Sequence, residues 1–102
     1  MELKDVERVS DEIRALFRAL EEEHHGSAWS AEEDALAFLT DAALVGRLVM
    51  DIEGRWPKNT DETLMEKIGE CVWRLAVLAK REGLDFSLCV EEFLKNRLKE
   101  LK

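Results

Sequence analysis

Apolar residues recur along this chain at three- and four-residue steps, the period of one face of an α-helix. Leu3, Val6, Val9, Ile13, Leu16, Phe17 and Leu20 form the first run and predict a helix over about 3–22, with Gly26 as the break before the next. The second run is rich in Ala, Leu and Val. Ser30 and Glu33 make a capping box at its start, with Trp29 in the staple position just before it. That helix is expected over about 31–53, closed by Gly54 and Pro57. The third is expected over about 61–82, capped by Asn59 or Thr60, with Asp61 and Glu62 in its first turn and Gly83 as the terminal glycine. The fourth is expected over about 86–101, carrying Leu88, Val90, Phe93, Leu94, Leu98 and Leu101. No segment alternates as a strand does.

The expected fold is therefore all-α, an antiparallel four-helix bundle in one domain of 102 residues. A chain this short buries only about two-thirds of its unfolded surface. Helices 2 and 3 are apolar over more of their circumference than one intramolecular contact uses. Both points lead to a core completed by self-association, most simply in a dimer.

Hydrophobic residues at 46 % and charged residues at 37 % place the chain among globular rather than disordered sequences. The net charge of -8 makes duplex nucleic acid and anionic membrane poor partners. No apolar run reaches the ~18 residues of a membrane span. The charged N-terminus MELKDVERVS is no signal peptide. Cys71 and Cys89 lie in apolar helical patterns and read as buried thiols of a reducing compartment. A cytoplasmic location is the expectation.

Helix 3 carries charge inside its apolar pattern. In KIGECVWRLAVLAKREGLD, Lys67 and Glu70 stand three apart and Arg74 follows four later, which puts all three on one face. This segment resembles the third helix of the MazG-like, all-α nucleotide pyrophosphohydrolases, with Ile68, Gly69, Val72, Trp73, Leu75, Ala79, Gly83, Leu84 and Asp85 in register. The opening of helix 2, WSAEEDALAFLTDAALVGRL, and the Lys95–Asn96 pair are similar to the same family, so the likeness spans roughly 29–96. The resemblance implies an E-E-x-x-E segment on helix 2 facing an E-x-x-D segment on helix 3. Together these hold Mg2+, the metal grips a (deoxy)nucleoside triphosphate, and a metal-activated water cleaves between the α- and β-phosphates.

The chain departs from that pattern where the metal binds. The helix 2 positions are Thr40, Asp41 and Leu44, and the helix 3 positions are Lys67 and Glu70. Asp41 and Glu70 are left as candidate metal ligands. The resemblance makes Lys95 and Asn96 candidate nucleotide- or phosphate-binding groups, and Lys67 and Arg74, the cations on the same face of helix 3, are candidates beside them. Two functional expectations follow. One is a small Mg2+-dependent nucleotide pyrophosphohydrolase working as a homodimer or a dimer of dimers. The other is a catalytically degenerate relative, a helical dimer used for interaction or nucleotide sensing, with Lys67 as a built-in cation paired to Asp41 and Glu70. Asp51 and Glu66 read as solvated acids, Trp29, Trp56 and Trp73 as packing aromatics, and His24 and His25 as a solvated loop pair.

Overall fold

The computed structural model describes the backbone of residues 1–102 and every side chain but that of His25, so the expectation for that imidazole lies outside the described residues. Four helices make up the fold: α1 (Leu3–His25), α2 (Ala31–Ile52), α3 (Leu64–Arg81) and α4 (Phe86–Leu101). The all-α expectation holds.

Four boundaries differ from the sequence reading, among them the end of α3 at Arg81, one residue early. α1 continues through His25 before Gly26 ends it in the left-handed conformation, so His24 belongs to the last helical turn rather than a loop. α2 ends one residue earlier, at Ile52. α3 begins at Leu64, later than the acidic pair Asp61–Glu62 suggests. Its cap is Thr63, whose hydroxyl accepts the Glu66 N–H. Glu62 is thereby freed from the helix and turns toward Lys67, as described below. The capping box at Ser30 and Glu33 forms in both directions. Gly83 closes α3 as expected, with φ of +73° and the Leu84 N–H donating to the Ala79 carbonyl at 2.8 Å.

α3 is the central element. α2 packs antiparallel along one side of it; α1, also antiparallel to α3, and the first turns of α4 pack on the other. Among the described residues α2 packs along neither α1 nor α4, so the four helices do not close around one core. The radius of gyration, 15.9 Å, exceeds the ~13 Å of a compact chain of this length.

The composition of the interior explains the open shape. Among the described residues only Leu48, Ala76, Val77, Ala79 and Phe86 are buried apolar groups; Ala76, Ala79 and Phe86 form one cluster, against which Leu3, Val6 and Val90 pack. Arg14, Asp34, Asp41 and Lys67 are buried too. Meanwhile Leu16, Phe17 and Leu20 on α1, Leu36 and Leu39 on α2, Met65 and Ile68 on α3, and Phe93, Leu94 and Leu98 on α4 lie exposed. Among the described residues no helix is long and apolar enough to cross a membrane. Cys89 is a correction: it is exposed, on the open groove that α4 forms with Leu75 and Leu78 of α3, whereas Cys71 is half-buried.

Candidate functional site

The seam between α2 and α3 is held by charge in a heptad register. Asp34, Asp41 and Leu48 are the fully buried residues of α2, one every seven positions. Arg81, Arg74 and Lys67 oppose them on α3 at the same spacing. A seven-residue step returns to the same helix face after two turns. Antiparallel packing therefore sets Asp34 against Arg81 at 3.1 Å and Asp41 against Arg74 at 2.9 Å.

At the Lys67 end three carboxylates converge on one ammonium. Lys67 Nζ lies 2.7 Å from Glu70 Oε1, 2.9 Å from Glu62 Oε1 and 3.4 Å from Asp41 Oδ1. The Lys67 side chain is 3 % exposed. Burial alone would push its pKa down, but the Glu62 and Glu70 hydrogen bonds and the charges of Glu70 and Asp41 outweigh this and raise it above the ordinary lysine range. Arg74 completes the group, with its Nη2 3.6 Å from Glu70 Oε2. Its guanidinium also lies over the Trp73 ring at 4.6 Å and near the Trp29 ring at 5.8 Å.

The structure thus brings together four sequence candidates: Asp41, Glu70, Lys67 and Arg74. It does not bring Lys95 and Asn96 to them. Both lie on the exposed part of α4, a helix that approaches α1 and α3 but not α2. Thr40 is exposed and donates to the Leu36 carbonyl, and Leu44 packs half-buried in the seam. Asp51 accepts the Lys58 N–H, and Glu66 accepts the Thr63 hydroxyl. These two acids serve helix ends rather than the cluster. Arg47, beyond Asp41 on α2, lies over Trp56.

These residues do not fit a divalent cation. Magnesium takes carboxylate oxygens at about 2.0–2.1 Å and keeps the remaining positions for water or phosphate. Here both oxygens of Asp41 and both of Glu70 face a lysine or arginine nitrogen. A protonated lysine already occupies the point where the acids meet.

A second buried network was not anticipated. Arg14 makes a bidentate pair with Glu21 at 2.9 and 3.1 Å, and its Nη2 lies 3.4 Å from Asp34 Oδ1, at ion-pair distance without hydrogen-bond geometry. Glu21 also accepts the Trp29 N–H at 2.7 Å, while Arg81 donates to the Trp29 carbonyl at 3.0 Å. Burial would raise the Glu21 pKa; the Arg14 and Trp29 hydrogen bonds reverse the sign and lower it. The sequence signal was the seven-residue repeat of acids at 34 and 41 and of cations at 67, 74 and 81.

Between α1 and α3 lies an open groove of about 630 Å³. Ile13, Phe17, Leu20, Trp29 and Trp73 form its apolar walls, with Glu70 and Arg74 at its edge and His24 on its rim. Phe17 and Trp73 are tilted rings 5.7 Å apart, and Trp73 Nε1 donates to the Ser10 carbonyl at 3.3 Å.

No family model, curated protein or solved structure matches the chain. The MazG-like resemblance therefore rests on the motifs quoted above.

Proposed function

We propose that this chain is a non-catalytic, self-associating helical module, built on a MazG-like plan in which Lys67 holds the place of the catalytic cation. The observation that carries this reading is the convergence of Asp41, Glu62 and Glu70 on Lys67 Nζ. A divalent ion lowers the pKa of bound water and bridges phosphate oxygens. An ammonium does neither. It holds the two helices in register and leaves the acids neutralised from within. Self-association is supported by the balance of surfaces, with few apolar side chains buried and long apolar stripes exposed on all four helices.

The test is calorimetric titration with Mg2+ and Mn2+, combined with a pyrophosphate-release assay over ribo- and deoxynucleoside triphosphates. The native chain is expected to show neither metal binding nor release, and light scattering is expected to give a dimer or larger. Lys67→Glu converts the cluster into a set of acids, so millimolar Mn2+ is expected to raise its melting temperature and leave that of the native chain unchanged. Stoichiometric metal binding with pyrophosphate release by the native chain would restore the hydrolase reading and refute this one.

A further inference from the structure

The side of α2 turned away from α3 carries a second apolar stripe. Leu36, Leu39, Ala43, Gly46 and Met50 follow the alternating three- and four-residue steps of a coiled-coil seam, and all five are exposed. The α3-facing side is centred on Asp34, Asp41 and Leu48. At 3.6 residues per turn the second stripe lies about 180° from it. The helix thus has two working faces, and the protomer covers one. Among the described residues α3 is the only helix that packs along α2, and α1 reaches it through the Arg14–Asp34 ion pair. The exposures of Leu36 and Leu39 are 62 % and 61 %, values typical of solvated polar groups rather than leucines at mid-helix.

We propose that this stripe is a two-fold seam on which α2 of a second copy of the chain packs antiparallel. The proposal rests on the self-association reading above and names the surface. Three observations support it. The first is area. The protomer exposes 7622 Å², against about 5,900 Å² for a compact chain of its mass. The excess is about twice the ~800 Å² that each partner commonly buries in a stable interface.

The second is self-complementarity, which a two-fold contact demands because residue i meets j wherever j meets i. With Ala43 on the axis, Leu36 meets the other copy's Met50 and Leu39 meets its Gly46. Leu39 then lies opposite the open position at Gly46, Leu36 packs on Met50 at either end of the seam, and the helices close at the alanine. A Cβ added at Gly46 meets nothing within 4 Å in the protomer, so intramolecular packing does not require the glycine. The third is charge. Asp41 faces α3 and Arg47 lies to one side over Trp56, which leaves the stripe from Leu36 to Met50 without a charged group. A strongly charged partner finds no complement there.

Two variants of the full chain test this. Ala43→Cys, in a Cys71→Ser/Cys89→Ser background, puts identical thiols across the proposed axis, within the Cα separation of under ~7 Å that a disulfide needs. Mild oxidation is expected to give a covalent dimer in high yield, whereas Ala19→Cys on the exposed side of α1 is expected to stay monomeric on a denaturing gel. Gly46→Glu places a charge in the seam while improving helix propensity, so the chain still folds. Its dissociation constant by sedimentation is expected to rise about 100-fold or more, with helicity by circular dichroism unchanged. If the native chain self-associates but neither variant behaves so, the seam lies elsewhere and the self-association reading survives. If the native chain is monomeric at ~100 µM, both fall.

Discussion

Asp34 and Arg81 face each other across the α2–α3 seam at 3.1 Å, and one heptad along the same seam Asp41 and Arg74 repeat the arrangement at 2.9 Å. The seam is thus a short antiparallel ladder of opposite charges. Its register is specified because sliding either helix by one turn would leave a buried charge without its partner.

Asp34 is the most deeply placed acid of the ladder, its side chain 2 % exposed beside Arg14 at 3 %. Asp34→Ala leaves Arg14 with Glu21 alone and Arg81 with only a carbonyl. The expected cost is about 3–5 kcal/mol of folding stability, read from the urea midpoint at constant m.

If the Asp41–Arg74 pair fixes register, its two halves are not independent. Asp41→Asn and Arg74→Gln are each expected to destabilise, and the double variant to cost less than their sum by about 1–3 kcal/mol. A double-mutant cycle by urea denaturation measures that coupling, and additive losses would show that Arg74 acts through Trp29 and Trp73 instead.

pH should act on the two networks at opposite ends of the scale. The Glu21 pKa is lowered on folding from 4.5. Its contribution is present above that value and is lost as pH falls through the lower folded one. The Lys67 pKa is raised from 10.5, so its contribution is present below that value and is lost as pH rises through the higher folded one. Glu21→Gln is expected to flatten the acid limb of a stability–pH profile and Lys67→Met the alkaline limb, each leaving the other in place.

The two thiols should differ in reactivity. Cys89 is exposed, while Cys71 is half-buried and its pKa is raised, first by burial and then by the charge of Asp41. A thiol reagent at pH 8 is expected to label Cys89 at least tenfold faster, because the thiolate is the reacting species. Equal rates would mean that the Cys71 side of α3 opens readily.

Gly83 holds a φ of +73° at the end of α3. Gly83→Ala has open space for its methyl group but must adopt a left-handed backbone, and is expected to lower stability by about 1 kcal/mol. A thermal melt reads the loss, and an unchanged midpoint would mean that the turn relaxes into another conformation.

The helices were legible because their signals are local. Three- and four-residue apolar spacing, the Ser30–Glu33 box and the glycines at 26, 54 and 83 act within a turn or two of themselves. The start of α3 was misplaced because Asp61 and Glu62 look like first-turn acids, while Thr63 wins the cap by accepting the Glu66 N–H. Of the candidate cluster, Lys67, Glu70 and Arg74 were readable as one face of one helix, and Asp41 was reached through the family resemblance. Glu62 was not readable in that role, because its part in the cluster depends on the helix beginning two residues after it. The Arg14–Glu21–Asp34–Arg81 network was missed although its spacing lay in plain view.

What the amino-acid order determined alone is the set of four amphipathic rods and which residues share a face on each, since a helix repeats every 3.6 residues whatever surrounds it. What only the tertiary structure decided is which faces meet. Acids on α2 and cations on α3 have the same spacing in any arrangement. Their antiparallel packing turns two separate repeats into a ladder, and it sets a lysine ammonium at the point where three carboxylates converge. The same packing leaves the far side of α2 bare, a fact that no periodicity within one helix contains.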